Sequence, residues 1–169
     1  MKRNPLSAYL FPFLCTTLWS LLVPAIPAET VEQPIAYNHY KHTQELELEC
    51  VMCHVGVEES IRATIPDMEI CIGCHSEPVT ESPEEEKIRS YYSKNEEIPW
   101  QRLFQVPKHV FFSHRRHVTV AGLECERCHG DMALREKPPS KAPMKISMNA
   151  CMSCHRALQA SIDCVSCHR

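Results

Sequence analysis

Ten cysteines and five histidines stand in five copies of one pattern: Cys50-Val-Met-Cys53-His54, Cys71-Ile-Gly-Cys74-His75, Cys125-Glu-Arg-Cys128-His129, Cys151-Met-Ser-Cys154-His155 and Cys164-Val-Ser-Cys167-His168. Two thiols at this spacing can each add across a vinyl group of one porphyrin. A histidine directly after the second thiol then sits where it can ligate the iron, and the pattern is that of c-type haem attachment. A disulfide framework suits small exported chains, but it gives no reason for a histidine after every pair. Zinc ribbons use Cys-x-x-Cys units in twos, and five units leave one over. A thioredoxin-type redox pair needs a βαβ setting that this sequence does not supply. The expectation is five covalently bound haem c groups, with these ten cysteines as attachment points and His54, His75, His129, His155 and His168 as iron ligands.

The chain has ten histidines. The five outside the motifs are His39, His42, His109, His114 and His117. Five haems with two axial imidazoles each use the whole set. Two imidazoles close both axial positions, so such an iron exchanges an electron but offers no free position for a substrate. His109 stands apart from the other four, and Met144 or Met148 is the alternative sixth ligand, one that would raise the potential of its haem.

An internal repeat organises these residues. His39-x2-His42-x7-Cys50-x2-Cys53-His54 has the spacing of His114-x2-His117-x7-Cys125-x2-Cys128-His129, and 7 of the 17 aligned positions are identical. An aromatic residue, Tyr37 or Phe112, precedes each pair by two positions. Histidines three apart share one helical face and can serve two neighbouring haems.

The elements that must hold these groups are short. Residues 29–80 form a first module with two haems, and residues 106–169 a second with three. Between them, 81–105 is a helical connector. Its helix starts at Ser82 as N-cap, with Pro83 at the first helical position and Glu85 closing a capping box. The run Pro138-Pro139 and Pro143 predicts a loop before the fourth motif, with Asn149 as a candidate cap. Four glycines and this little chain per haem leave no room for a conventional apolar core. The fold class expected is mostly irregular with short α-helices and little or no β-sheet, wrapped around the haems.

Met1-Lys2-Arg3 followed by an uncharged apolar stretch to Ala28 reads as an export segment. It is either a signal peptide cut after Ala25 or Ala28, or an uncut anchor in the inner membrane. Either way the haem-bearing part faces the periplasm. The eleventh cysteine, Cys15, lies in this segment. The net charge of −3 argues against a nucleic-acid partner, which needs a basic face.

The spacing His-x2-His-x7-Cys-x2-Cys-His resembles that of the class III multihaem cytochromes c. The resemblance implies that His39 ligates the Cys50/Cys53 haem and His42 the Cys71/Cys74 haem. It likewise implies His114 for Cys125/Cys128 and His117 for Cys151/Cys154, leaving His109 for Cys164/Cys167. The small three-haem members carry a histidine just before their middle motif, where this chain has Met144 to Ala150 without one.

From Glu84 to Arg156, and above all over Ile98-Pro-Trp100 to His117, the chain is similar to the pentahaem subunit of alternative complex III. It is similar also to the multihaem subunit of related quinone reductase complexes. That likeness implies electron transfer with redox proteins of a quinone-linked membrane complex as partners, and membrane association through the N-terminus. The alternatives are a soluble periplasmic shuttle and a multihaem reductase with one open-coordinate haem. Because the haems replace the core, chain exported without haem attachment is expected to be unfolded by circular dichroism; a cooperative thermal transition in haem-free chain would contradict this.

Overall fold

The computed structural model describes residues 30–168; the expected export segment, 1–28, lies outside them. Among the described residues there are short helices, turns and loops, and the sole β feature is an antiparallel bridge between Val110 and His168. No helix among them is long and apolar enough to cross a membrane.

Each haem-attachment motif lies on a helix. The first occupies α1 (Cys50–Cys53), the second ends α2 (Met68–His75) and the third spans α4 (Glu126–His129). The fourth is inside α5 (Met148–Ala157), and α6 (Cys164–Cys167) carries the fifth. Cysteines three apart on one turn project to the same side, as two bonds to one planar group require.

A further helix, α3 (Pro83–Ser93), packs against α2. Ile35, Met68, Ile72, Ile88 and Ile98 form the buried cluster between them, with Cys71, Tyr91 and Trp100 against it. The 81–105 segment is thereby packed on the second motif's helix. Gln33 and Gln101 exchange two hydrogen bonds, of 2.8 and 3.0 Å, and Ala36 N donates to Glu84 (2.6 Å), closing the cluster.

Two helix starts differ in detail from expectation. Ser82 does cap α3, accepting from Glu84 N (3.3 Å). Glu85, however, does not return to Ser82 N, which donates to Thr80 Oγ1 instead (3.1 Å). Its carboxylate reaches farther back, to Val79 N, Thr80 N and the Thr80 hydroxyl. In α5 the cap is Ser147, whose hydroxyl accepts from Ala150 N (3.3 Å). Asn149 is already inside the helix, because Ser147 offers its oxygen two residues earlier.

The repeat recurs in backbone detail. Each His-x-x-His stretch runs into a π-helical turn, Lys41–Glu45 and Arg116–Val120. Leu46 N donates to Lys41 O and Leu48 N to His42 O; Ala121 N and Leu123 N repeat this with Arg116 O and His117 O. The residue between, Glu47 or Gly122, is left-handed, at φ 54° and 62°.

The copies also clasp each other reciprocally. Tyr40 N donates to Arg135 O in the second module, and Arg115 N donates to Ser60 O in the first. The Thr43 hydroxyl donates to Ala133 O (2.7 Å), the Thr119 hydroxyl to Glu58 O (2.6 Å). Each histidine turn thus lies on the loop that follows the other copy's motif, a pseudo-twofold arrangement.

A left-handed residue with a Cβ is strained by about 1–2 kcal/mol. Glu47→Gly is therefore expected to be neutral or to stabilise by up to about 1 kcal/mol, since glycine also loses more chain entropy. Gly122→Val is expected to cost about 1–2 kcal/mol, although a Cβ at Gly122 would meet nothing within 4 Å. Denaturant unfolding of the haem-loaded chain measures both, and equal losses from the two changes would contradict the assignment.

Candidate functional site

The two histidine turns are built alike. Asn38 Oδ1 accepts from Lys41 N (2.9 Å) and Ser113 Oγ from Arg116 N (3.3 Å), because short polar side chains satisfy the free N–H groups of a first helical turn. The carbonyls of the same two residues take the Nδ1–H of His42 and His117, both at 2.8 Å. Tyr37 stacks on His42 (4.5 Å, 24°) and meets His39 edge-on (4.7 Å, 85°). Phe112 does the same to His117 (4.5 Å, 23°) and His114 (4.9 Å, 88°). One aromatic ring per copy therefore fixes both imidazoles.

Across from them stand the motif histidines. Ring centroids are 6.1 Å apart for His42 and His75, and 6.1 Å for His117 and His155. They are 6.5 Å apart for His114 and His129, and 5.6 Å for His109 and His168. His109 is thus brought to the fifth motif, where the bridge at Val110 and the bond from Phe111 N to Cys167 O (2.7 Å) align the two segments. His39 interacts with His54: after burial, the His54 charge is the largest influence on it, and together with His42 and Arg135 these hold its pKa down at about 4.

The donor set can be tested against haem iron. Two imidazoles each bound through Nε2 at about 2 Å from one metal have centroids about 6 Å apart, and the four measured pairs lie at that spacing. A ligating ring carries its proton on the other nitrogen, usually toward a carbonyl or carboxylate. His54 Nδ1 donates to Thr64 O (2.7 Å) and His155 Nδ1 to Ser161 O (2.6 Å), as His42 and His117 do to their own carbonyls. His114 Nδ1 lies 3.4 Å from Ile61 O and 3.0 Å from Ala63 N. It cannot donate and accept at once, and a ring that offers Nε2 has Ile61 O as its partner. Burial first, then neighbouring histidines, also lowers the pKa of His114 and His129, which favours the neutral rings that bind metals.

Several of the thiols are held away from the thiolate form. Ten cysteines are free. Burial pushes Cys71 up to about 11 and also raises Cys53, Cys125, Cys128 and Cys151. A zinc site needs thiolates, and among the described residues no three His, Cys, Asp or Glu side chains converge on a metal position. The donors are opposed pairs beside Cys-x-x-Cys turns, and they fit haem.

The thiols also reveal which motifs are neighbours. After burial, Cys71 responds most to Cys53, Cys53 to Cys74, Cys125 to Cys50, Cys128 to Cys154 and Cys151 to Cys167. The spatial order is second, first, third, fourth, fifth, with the reciprocal clasp at the junction of the first and third.

A family model described as cytochrome c7 and related cytochrome c matches residues 110–169. Over 162 aligned residues the chain is 28% identical to the "Menaquinone reductase, multiheme cytochrome c subunit" of Nitratidesulfovibrio vulgaris, covering 82% of this chain and 77% of the relative. Both findings support the reading of the chain as a class III-type multihaem cytochrome c. Its helical and irregular build, with no strands among the described residues, is that of the small class III fold.

Two contributors escaped the sequence reading. Phe104 meets His129 edge-on at 4.4 Å; an aromatic residue inside the polar stretch between Pro99 and Pro107 was the available signal. Glu85 is only 6% exposed and lies 3.7 Å from His75 Nδ1 and 3.5 Å from Arg89 Nη1. Its sequence signal was the helix-start pattern, which pointed to a different partner.

Hydrogen bonds from Thr80 and Val79 hold the Glu85 pKa at about 2, from 4.5, with His75 adding to the effect. A carboxyl whose pKa is lowered on folding stabilises the fold above its unfolded pKa and loses that contribution as pH falls through the folded value. Glu85→Gln should therefore destabilise the haem-loaded chain at pH 6. That difference should shrink from about pH 4.5 and vanish near pH 2; a pH-independent difference in denaturant midpoint would contradict it.

Proposed function

We propose that this chain is a periplasm-facing electron-transfer subunit of a quinone-linked membrane oxidoreductase, carrying five haem c groups each held between two histidines. The observation that carries this reading is the opposition of imidazoles: His42 to His75, His114 to His129, His117 to His155 and His109 to His168, at 5.6–6.5 Å. His39 and His54 complete the set. When bound, each haem supplies a one-electron centre.

The chain's own residues do the rest. Paired histidines occupy both axial positions, which suits transfer rather than substrate activation. Tyr37 and Phe112 each pin two imidazoles belonging to adjacent groups, so spacing between neighbours is set by a single turn of backbone. The clasp between Tyr40 and Arg135, and between Arg115 and Ser60, holds the two-haem module of 29–80 to the three-haem module of 106–169. Supporting the assembly partner, the relative is named as a subunit of a menaquinone reductase. Residues 1–28 then deliver the chain across the membrane, as a cut signal or as its anchor.

Intact mass of the exported chain should show five haem additions, and oxidised protein should give only low-spin EPR signals with no carbon monoxide adduct on reduction. Fewer additions, or a high-spin signal, would overturn the five bis-histidine sites. Co-purification from detergent-solubilised membranes with quinone-oxidising or quinone-reducing subunits is the expected assembly result; recovery solely as a soluble monomer would favour a shuttle.

A further inference from the structure

The non-ligating nitrogens of the histidine rings are not equivalently partnered. His42, His54, His117 and His155 donate Nδ1–H to neutral backbone carbonyls at 2.6–2.8 Å. His75 is different. Like that of His39, its Nδ1 is buried with no hydrogen-bond partner, but here the Glu85 carboxylate stands 3.7 Å away.

That carboxylate is held in place independently of His75. Oε1 accepts from the Thr80 hydroxyl (2.5 Å), and Oε2 accepts from Val79 N (2.9 Å) and Thr80 N (3.2 Å). Arg89 Nη1 is the nearby cation, at 3.5 Å, and it too is buried without a hydrogen bond. A surface capping residue would not need this much fixing, nor would it sit 6% exposed beside the motif's histidine.

We propose that Glu85 is a positioning residue for the group held at Cys71, Cys74 and His75: its fixed negative charge polarises His75 and lowers the potential of that site relative to its carbonyl-partnered neighbours. The inference rests on the proposed haem at this motif. The physical reason is charge. Reduction adds one electron to the site, taken from a donor protein, with no bond made and no proton moved. A carboxylate facing His75 Nδ1 makes the ring a stronger electron donor and stabilises the more positive, oxidised state. Arg89 offsets part of that field.

The opposed signs of Glu85 and Arg89 make the test selective. Haem-loaded wild type, Glu85→Gln and Arg89→Gln are titrated by optical spectroelectrochemistry, and their haem content is read by intact mass. Glu85→Gln keeps the acceptor for Thr80 and removes the charge. One component should move upward by about tenfold in its reduction equilibrium, at the low end for an outer ligand partner, or about 59 mV for one electron. The other components should stay. Arg89→Gln should move the same component downward. The component is assigned as the one missing from Cys71→Ser/Cys74→Ser protein.

No shift, a shift of all components together, or movement in the same direction by both variants would overturn the role of Glu85. A wild-type mass without a haem at this motif would instead overturn the site itself. If Glu85→Gln protein does not accumulate, the direction of the Arg89→Gln shift decides the matter.

Discussion

Two imidazoles that must face different partners from one turn of backbone set the terms for everything around them. His39 and His42 share such a turn, as do His114 and His117. The free ring nitrogen of the second histidine is tied to the carbonyl of the capping residue, and an aromatic ring wedges between the pair. The turn then widens to π-type bonding, so that its end returns the chain toward the attachment motif through a left-handed residue. The wider turn breaks regular helix geometry, as is common where side chains serve a function. Apolar packing does not account for both copies: among the described residues the buried cluster lies at α2 and α3, beside the first turn only through Ile35, whose carbonyl accepts from Tyr37 N.

That distribution explains how a chain this short holds together. A few isoleucines and a methionine bury well, while many large apolar side chains in and around the motifs are exposed, Val165 at 81% and Met148 at 61% among them. Under the proposed haem binding, the porphyrins would supply the apolar mass that the sequence lacks. Covalent attachment then does the work that cooperative side-chain burial does in an ordinary domain of this size.

Some of this was legible in the sequence and some was not, for physical reasons. The motif spacing is chemistry written directly into residue order, and the repeat showed in seven identities. The shared left-handed position did not show, since Glu47 stands where the second copy has Gly122; one tolerates the strain that the other avoids. Ser82 could be read as a cap because capping is local. The destination of Glu85 could not, because Thr80 competes for it and its strongest partners lie outside the expected box. The reciprocal clasp was invisible for the opposite reason. It is made of backbone bonds, such as Tyr40 to Arg135 and Arg115 to Ser60, which leave no mark on side-chain identity. Opposed histidine rings are likewise a matter of tertiary placement, and only the resemblance to a family suggested partners for them.

The order of motifs in space follows from the clasp. Each histidine turn leans on the loop after the other copy's motif, so the first and third motifs must meet, as the coupling of the Cys50 and Cys125 thiols reflects. Within each copy the aromatic wedge sets the next neighbour on the outer side: the second motif beyond the first, the fourth beyond the third. The second motif is thereby driven to one end of the row and the fifth to the other, although in sequence the second is internal. Among the described residues, the same end receives the packed apolar cluster and the buried carboxylate that faces a motif histidine. An end site has a neighbouring motif on one side only, so protein must wall its other side. A protein wall can carry a fixed charge where a porphyrin face cannot, so if the proposed haems fill the row, its end is where a side chain would tune the terminal site.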